Sequence, residues 1–248
     1  MPAGEHVFPF RFVFPYKLQL PPSLKEVSQG QIKYFIESIV HRPELKLCDT
    51  KTVNLTFTPK LDISGPEYGQ VSDSKVSTSL LLGGGPIEAT LKVPRKGWAP
   101  GDQFEIEVYI QNNSSKALNG FAVVLRADYN FFIYPPRSSD DRSTVDTPIE
   151  NFPDLIPPKS TLSKKVSVTI PPVGQTITMG AAKIIERLYS IVVVINTSML
   201  HFNITLLAPI VIGTVPYRKS HGASSELSSA ANFDSLLDDD DGEWIIVR

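Results

Sequence analysis

The stretch Gly4-Glu5-His6-Val7-Phe8-Pro9-Phe10-Arg11-Phe12 is followed, after a proline-rich turn, by Gly30-Gln31-Ile32-Lys33-Tyr34-Phe35-Ile36-Glu37-Ser38 and then by His41-Arg42-Pro43. In the second block Ile32, Tyr34 and Ile36 fall on one face of an extended chain, with Lys33 and Glu37 on the other. This is the period-2 pattern of a half-buried strand. Phe35 breaks the alternation and suggests a second apolar contact. Strands are predicted over 7–14 and 32–40, with a third over 53–57.

The rest of the chain reads the same way. Twenty-one prolines and fifteen glycines separate short runs rich in Val, Ile, Phe and Thr. Proline cannot donate to a central ladder, so such punctuation marks many strands divided by turns. Phe104, Ile106, Val108 and Ile110 alternate with Glu105, Glu107 and Tyr109, an amphipathic strand, and 121–125 and 165–170 follow the same rule. The run 188–195 is apolar on both faces except at Ser190 and is predicted as a central, doubly covered strand. The class is all-β, and 248 residues suit two sandwiches of about 100 residues each.

Charge and hydropathy narrow the function. Lys and Arg number 24 against 26 Asp and Glu, a net charge of −2, so the broad basic face of a nucleic-acid binder is missing. The longest apolar runs, 191–195 and 206–212, fall short of the ~20 residues of a spanning helix. No basic segment leading into a leucine-rich run opens the chain, and Cys48 has no second cysteine to pair with. Both point to a cytosolic protein. The sequons at Asn54, Asn112, Asn113, Asn196 and Asn203 are then expected to be silent, as such triplets commonly are in strand-rich chains.

Chemical signatures are weak. His6, His41, His201 and His221 have no nucleophile or carboxylate at useful spacing. With Gly242 as the loop glycine, the first and twelfth positions of a calcium loop fall on Leu237 and Arg248, which cannot serve. Gly83-Gly84-Gly85 lacks the following Lys and Ser/Thr of a phosphate loop and leads through Pro86 into a strand. Cys48 has Lys46 and Lys51 nearby but no evident base, and a plain structural thiol is the simpler reading. No catalytic residue, cofactor or metal site is predicted.

The two opening blocks resemble the arrestin signature. Gly85-Pro86-Ile87, Gly97-Trp98-Ala99-Pro100-Gly101-Asp102 and Ile110-Gln111-Asn112-Asn113 look like the opening of the C-terminal domain of that family. Ile184-Ile185-Glu186-Arg187-Leu188-Tyr189-Ser190 and Pro209-Ile210-Val211-Ile212-Gly213-Thr214-Val215-Pro216 are similar to its closing strands. The Ile-Gly-Thr-x-Pro ending points to the α-arrestin, or arrestin-domain-containing, branch.

The resemblance implies two immunoglobulin-like β-sandwich domains of arrestin type, the first incomplete: 1–63 a partial N-terminal-type sandwich, 64–85 a linker, 86–217 the C-terminal-type sandwich. The segment 218–248 is expected to be a disordered acidic tail. In the family roughly the first hundred residues precede the Phe8-Pro9-Phe10 strand. The remnant is therefore expected either to pack on the second domain or to stay dynamic.

The function implied is that of a non-catalytic adaptor or scaffold in protein sorting, endocytosis and transport. Its partners would be cytoplasmic segments of membrane receptors or transporters, and its place the cytoplasm, with recruitment to plasma membrane or endosomes. The Pro-Pro-x-Tyr motif through which many α-arrestins recruit ubiquitin ligases does not occur in the sequence, and that role is not carried over. A truncated regulatory module that pairs or competes with full-length relatives is the alternative. In the tail, Phe233, Leu236, Leu237 and Trp244 beside the run Asp238-Asp239-Asp240-Asp241 are the candidate partner-binding residues, suited to coat or adaptor proteins with apolar pockets and a basic rim. A solvated acidic tail is the plainer reading. Docking of Trp244 on a basic strip of Lys92, Arg95 and Lys96 is a further expectation.

Overall fold

The computed structural model describes residues 7–10, 12, 20–27, 30–42, 47–79, 84–133, 137–178, 184–197 and 203–217. Among them are thirteen strands, one 3-10 turn at Pro66–Gly69 and no α-helix. The strands are β1 Leu24–Val27, β2 Gly30–Ile32, β3 Tyr34–Arg42, β4 Leu47–Leu55, β5 Ser72–Ser79, β6 Pro86–Val93, β7 Gly97–Trp98, β8 Gln103–Asn112, β9 Phe121–Ile133, β10 Arg137–Phe152, β11 Ser160–Thr169, β12 Ile185–Ile195 and β13 Ile204–Ile212.

Two sheets carry the core. One has the order β10-β9-β12-β13-β7 and the other β11-β8-β6-β5, while β1-β2 and β3-β4 form separate two-stranded sheets. Alternation dictates which side of each strand is buried. Ile87, Ala89, Leu91 and Val93 of β6 and Ile106, Val108 and Ile110 of β8 face Phe121, Val123 and Leu125 of β9, with Ile191, Val193 and Ile195 of β12, in one continuous core. Each of these side chains larger than Ala89 contributes about 1.5–3 kcal/mol by leaving water, and the two inner faces together make a sandwich. β12 lies between β9 and β13, and Val192 on its other face is also fully buried. The predicted central strand is found.

The stretch 64–85 does more than connect. β5 lies within it and pairs along its whole length with β6, Ser72 opposite Val93 and Ser79 opposite Pro86. Its polar sequence, Ser-Asp-Ser-Lys-Val-Ser-Thr-Ser, hides a strand because three of its four inward positions, Ser72, Ser74 and Thr78, are small hydroxyls and only Val76 is apolar. Those hydroxyls close one side of the sandwich: Ser72 Oγ donates to the Pro209 carbonyl at 2.7 Å, and the Leu207 amide donates to Ser74 Oγ at 3.3 Å.

The N-terminal residues of this unit, Leu20–Lys219, are anchored on the same core. Leu24 is buried in it and Ile32 packs against it. Gly30 lets β2 approach the rim of the sandwich, since a Cβ there would lie 2.5 Å from Phe131 Cε1 and 3.0 Å from Ile185 Cδ1. The other compact unit comprises Met1–Gln19 and Ser220–Arg248. Its described residues, 7–10 and 12, are not in a strand, contrary to the prediction over 7–14. Phe8, Phe10 and Phe12 are instead exposed, with Pro9 between two of them unable to donate to a ladder. The tail lies outside the described residues.

Candidate partner-binding surface

β3 and β4 form a hairpin whose base is clamped and whose length projects. Their register is unbroken from Tyr34 opposite Leu55 to Arg42 opposite Leu47. At the base the Tyr34 hydroxyl donates to the Pro21 carbonyl at 2.6 Å, and its ring meets Phe57 edge-on at 5.2 Å. The Ser23 amide donates to the Phe57 carbonyl at 2.8 Å, and the Phe57 amide donates back to Ser23 Oγ at 2.9 Å. Beyond this clamp the apolar side chains open to solvent: Phe35 is 55% exposed, Ile39 48% and Val40 43%. Phe35 and Ile39 lie on one face of β3 and Val40 on the other, since alternate residues share a face. Phe35 is more than half exposed, and no ring contact among the described residues supplies the second apolar contact its break in alternation suggested.

After β4 the chain returns to the sandwich as a strap. The Leu61 amide donates to Thr214 Oγ1 at 2.8 Å, and the Thr214 and Val215 amides donate to the Leu61 carbonyl at 3.0 and 3.2 Å. Asp62 bridges Val215 in parallel, and Ile63 is fully buried. Beside the strap, Arg95 lies 4.0 Å above the Trp98 ring and 5.0 Å from Tyr217, and donates to Asp102 at 2.8 Å. Asp102 also accepts the Ala99 amide, and Trp98 Nε1 donates to the Arg95 carbonyl. Arg95 is therefore committed to its own turn. Lys92 points outward from β6, and Trp244 lies outside the described residues.

The outer face of the four-stranded sheet holds an open depression of about 390 Å³ lined by Lys75, Lys92, Lys165, Glu107 and Tyr109 among others. Its charges are of both signs: Lys165 also reaches Glu105 at 3.9 Å, with both side chains 66% exposed. Such pairs are worth little. Among the described residues no group of three His, Cys, Asp or Glu is placed to hold a metal ion. His41 lies opposite Cys48 in the hairpin, while His6, His201 and His221 lie outside the described residues.

The predicted site residues Phe233, Leu236, Leu237 and Trp244 also lie outside the described residues. Ile39 and Val40 were not singled out from the sequence. The signal was present in two adjacent apolar pairs, Phe35-Ile36 and Ile39-Val40, which put apolar groups on both faces of one strand. Of the sequons, Asn112 is wholly buried. Its Nδ2 donates to the carbonyls of Lys116, Pro157 and Ile156, and its Oδ1 accepts from the Ser114 amide and hydroxyl. That nitrogen is a structural donor, closed to a glycan.

Two facing β-sheets, with a hairpin whose base is bonded to the segment before β1, make an all-β architecture of the sandwich kind. The chain belongs to the arrestin family. The family model "Arrestin (or S-antigen), C-terminal domain" matches residues 83–217, and "Arrestin (or S-antigen), N-terminal domain" matches residues 1–64. Similar proteins include human arrestin domain-containing protein 4, 25% identical over 94% of this chain and 56% of its own length. Arrestin domain-containing protein 17 of Caenorhabditis elegans is 23% identical over 87% of this chain and 50% of its own. Arrestin domain-containing protein C of Dictyostelium discoideum is 28% identical over 49% of this chain and 18% of its own. These relatives are of the α-arrestin kind. The chain spans about half the length of the first two and a smaller part of the third.

Proposed function

We propose that this chain is a non-catalytic adaptor that holds cytoplasmic segments of membrane receptors or transporters and carries them into sorting and endocytosis. It works in the cytoplasm and is drawn by its cargo to the plasma membrane or endosomes. The observation that supports this reading is the succession of arrestin N-terminal and C-terminal matches along one all-β chain. The anchored hairpin adds a means of contact: main-chain pairing along a strand edge with apolar side chains beside it is a general mode of peptide recognition. Phe233, Leu236, Leu237 and Trp244 supply a second contact, to coat or adaptor proteins, with the aspartates steering approach. Ubiquitin ligase recruitment through Pro-Pro-x-Tyr is no part of the reading.

The test is crosslinking and mass spectrometry of partners captured by the whole chain and by one ending at Tyr217. Receptors or transporters recovered with coat components support the adaptor, and loss of the coat components from the shorter chain assigns them to the tail. Recovery of neither class overturns it.

The hairpin also favours a second reading, a regulatory module that pairs or competes with longer arrestin-like adaptors. Two strands alone make a marginal sheet, and strands of a relative would complete it. Capture of such relatives without cargo would decide for this reading.

A further inference from the structure

At one end of the sandwich the stretch 152–160, where β10 leads into β11, borders a pocket of about 160 Å³. Its lining is largely apolar. Phe121 and Phe152 stack with ring centroids 4.6 Å apart, and Ile156, Pro157 and Leu162 join them. Phe121 and Ile156 are buried, while Leu155, also in the lining, is exposed.

Hydrogen bonds fix the walls. The Leu118 and Ile156 amides each donate to the other's carbonyl, at 3.0 and 2.9 Å. Asn112 Nδ2 donates to the Ile156 and Pro157 carbonyls, and Ser160 Oγ donates to the Pro157 carbonyl at 2.7 Å. Lys159 is held in the left-handed region at φ 55°, costly for a residue with a side chain, and its Nζ donates to the Asn113 carbonyl. The pocket is thus formed before anything enters it, and a preformed site loses less entropy on binding.

Lys164 is the unusual member of the lining. Alternation along β11 sets it on the face that buries Val166 and Val168. Its Nζ lies 3.8 Å over the Phe152 ring. Among the described residues no carboxylate, Asp154 of the lining included, forms an ion pair with it. An inward charge on an edge strand discourages strand pairing, but that use calls for no pocket beside it.

Size decides the class of occupant. Drug-sized ligands take sites of about 300–1,000 Å³, whereas an apolar cavity of about 150 Å³ holds a single benzene-sized group. We propose that this pocket receives one benzene-sized apolar side chain of a partner protein, with a carboxylate beside that side chain pairing with Lys164 Nζ. The charge complementarity selects an apolar residue flanked by an acid. Taking the occupant as part of a protein rests on the adaptor reading; the preference for an apolar group joined to an anion rests on the pocket alone.

The first experiment uses the full chain with isotope-labelled Ile and Leu methyl groups. The probe is phenylpropanoate, a phenyl ring and a carboxylate on a short tether. Saturable shifts should appear at Leu155, Ile156 and Leu162, with Ile106 and Ile191 of the interior unmoved. Phenylpropanol, which keeps the ring and lacks the charge, should bind roughly fivefold more weakly, the effect of a partly exposed ion pair. Lys164→Met should weaken phenylpropanoate by the same factor and leave phenylpropanol unchanged, and Lys164→Arg should retain the preference. A misfolded variant would lose both probes alike. No shifts at these methyl groups up to the solubility limit, equal binding of the two probes, or a preference that survives Lys164→Met would overturn the proposal and leave Lys164 as a charge that blunts the edge.

The second experiment separates the pocket from the adaptor reading. A photocrosslinking phenylalanine derivative replaces Thr161, an exposed residue of the lining, and the partner peptides joined to it are sequenced. An acid beside the joined apolar residue supports the proposal. Joining to this chain itself or to a second copy, or to segments without such an acid, would overturn it. Probe selectivity with no partner joined would overturn the protein occupant. Joined partners without probe selectivity would overturn the pocket's chemistry and leave the adaptor reading in place.

Discussion

Ile63 occupies the volume that a side chain at residue 213 would need: a Cβ placed on Gly213 comes 2.5 Å from Ile63 Cγ2. Ile63 has no exposed surface, and the strap that carries it is bonded to Thr214 and Val215. The chain leaving the hairpin is thereby keyed into the end of the sandwich.

Gly213→Val should lever this strap away. Overpacking typically costs about 1–3 kcal/mol; Ile63→Ala, which leaves a cavity, should cost about 2–5 kcal/mol. Chemical denaturation would measure both losses. Amide exchange should show the Thr214 and Val215 amides, which donate to Leu61, losing protection first. Unchanged exchange at these amides in Gly213→Val would show that the strap is not keyed by this contact.

Asn112 should tolerate almost nothing. Alanine removes the donor to three carbonyls and the acceptor for Ser114. Each buried polar group left without a partner costs about 1–3 kcal/mol. Asp at this position would add a carboxylate against carbonyl oxygens and should be worse. Equilibrium unfolding of Asn112→Ala and Asn112→Asp checks the order, and near-neutral values for both would refute the network's role.

The strands that alternate cleanly, such as β8, and the doubly apolar β12 were legible because burial alone dictated their composition. β5 was not, because Ser72 and Ser74 hold the seam by hydrogen bonds where apolar bulk is the usual signal. β10 was missed for a related reason. It is an edge strand rich in Asp, Ser and Thr, held by a two-pronged Arg126–Asp146 pair with both bonds at 2.8 Å and by Thr144 donating to Asp128. Of the surface, Phe35 was visible as an exception to its strand. That Ile39 and Val40 face water depends on which strands lie beside β3, which no local pattern reports. Sequence proximity likewise cannot show that Asp102 and Trp98 fold back onto Arg95.

Alkaline pH should destabilise the fold through Tyr189. Its hydroxyl donates to the Gly174 carbonyl at 2.8 Å. Burial is the main cause pushing its pKa up to about 12, opposed by Arg187 and assisted by Tyr129. A folded-state value above the unfolded one of about 10 means that the stabilisation is fully present below pH 10 and lost as pH rises toward 12. The loss is on the order of 2–3 kcal/mol across that interval. Tyr189→Phe should flatten this part of the profile of stability against pH. A slope equal to that of the unaltered protein would assign the alkaline loss elsewhere.

The hairpin should be separable from the sandwich at Gly30. A Cβ there meets Phe131 Cε1 at 2.5 Å and Cδ1 at 2.9 Å, with Ile185 Cδ1 at 3.0 Å. Gly30→Val should therefore dislodge β1 and β2 from the rim where Leu24 and Ile32 pack, at a cost of about 1–3 kcal/mol. The hairpin clamp depends on the same segment, since Pro21 and Ser23 hold Tyr34 and Phe57. Amide exchange should then quicken through β3 and β4 while β8 and β12, in the middle of their sheets, keep their protection. The contact with Phe131 makes a sharper test. In Phe131→Leu the ring that obstructs Gly30→Ala is gone, so the double variant should be more stable than the sum of the two single losses predicts, by an interaction term of about 0.5–3 kcal/mol. Strict additivity would mean that Gly30 acts on the backbone of β2 and not through the rim, and would sever the hairpin's anchoring from the core.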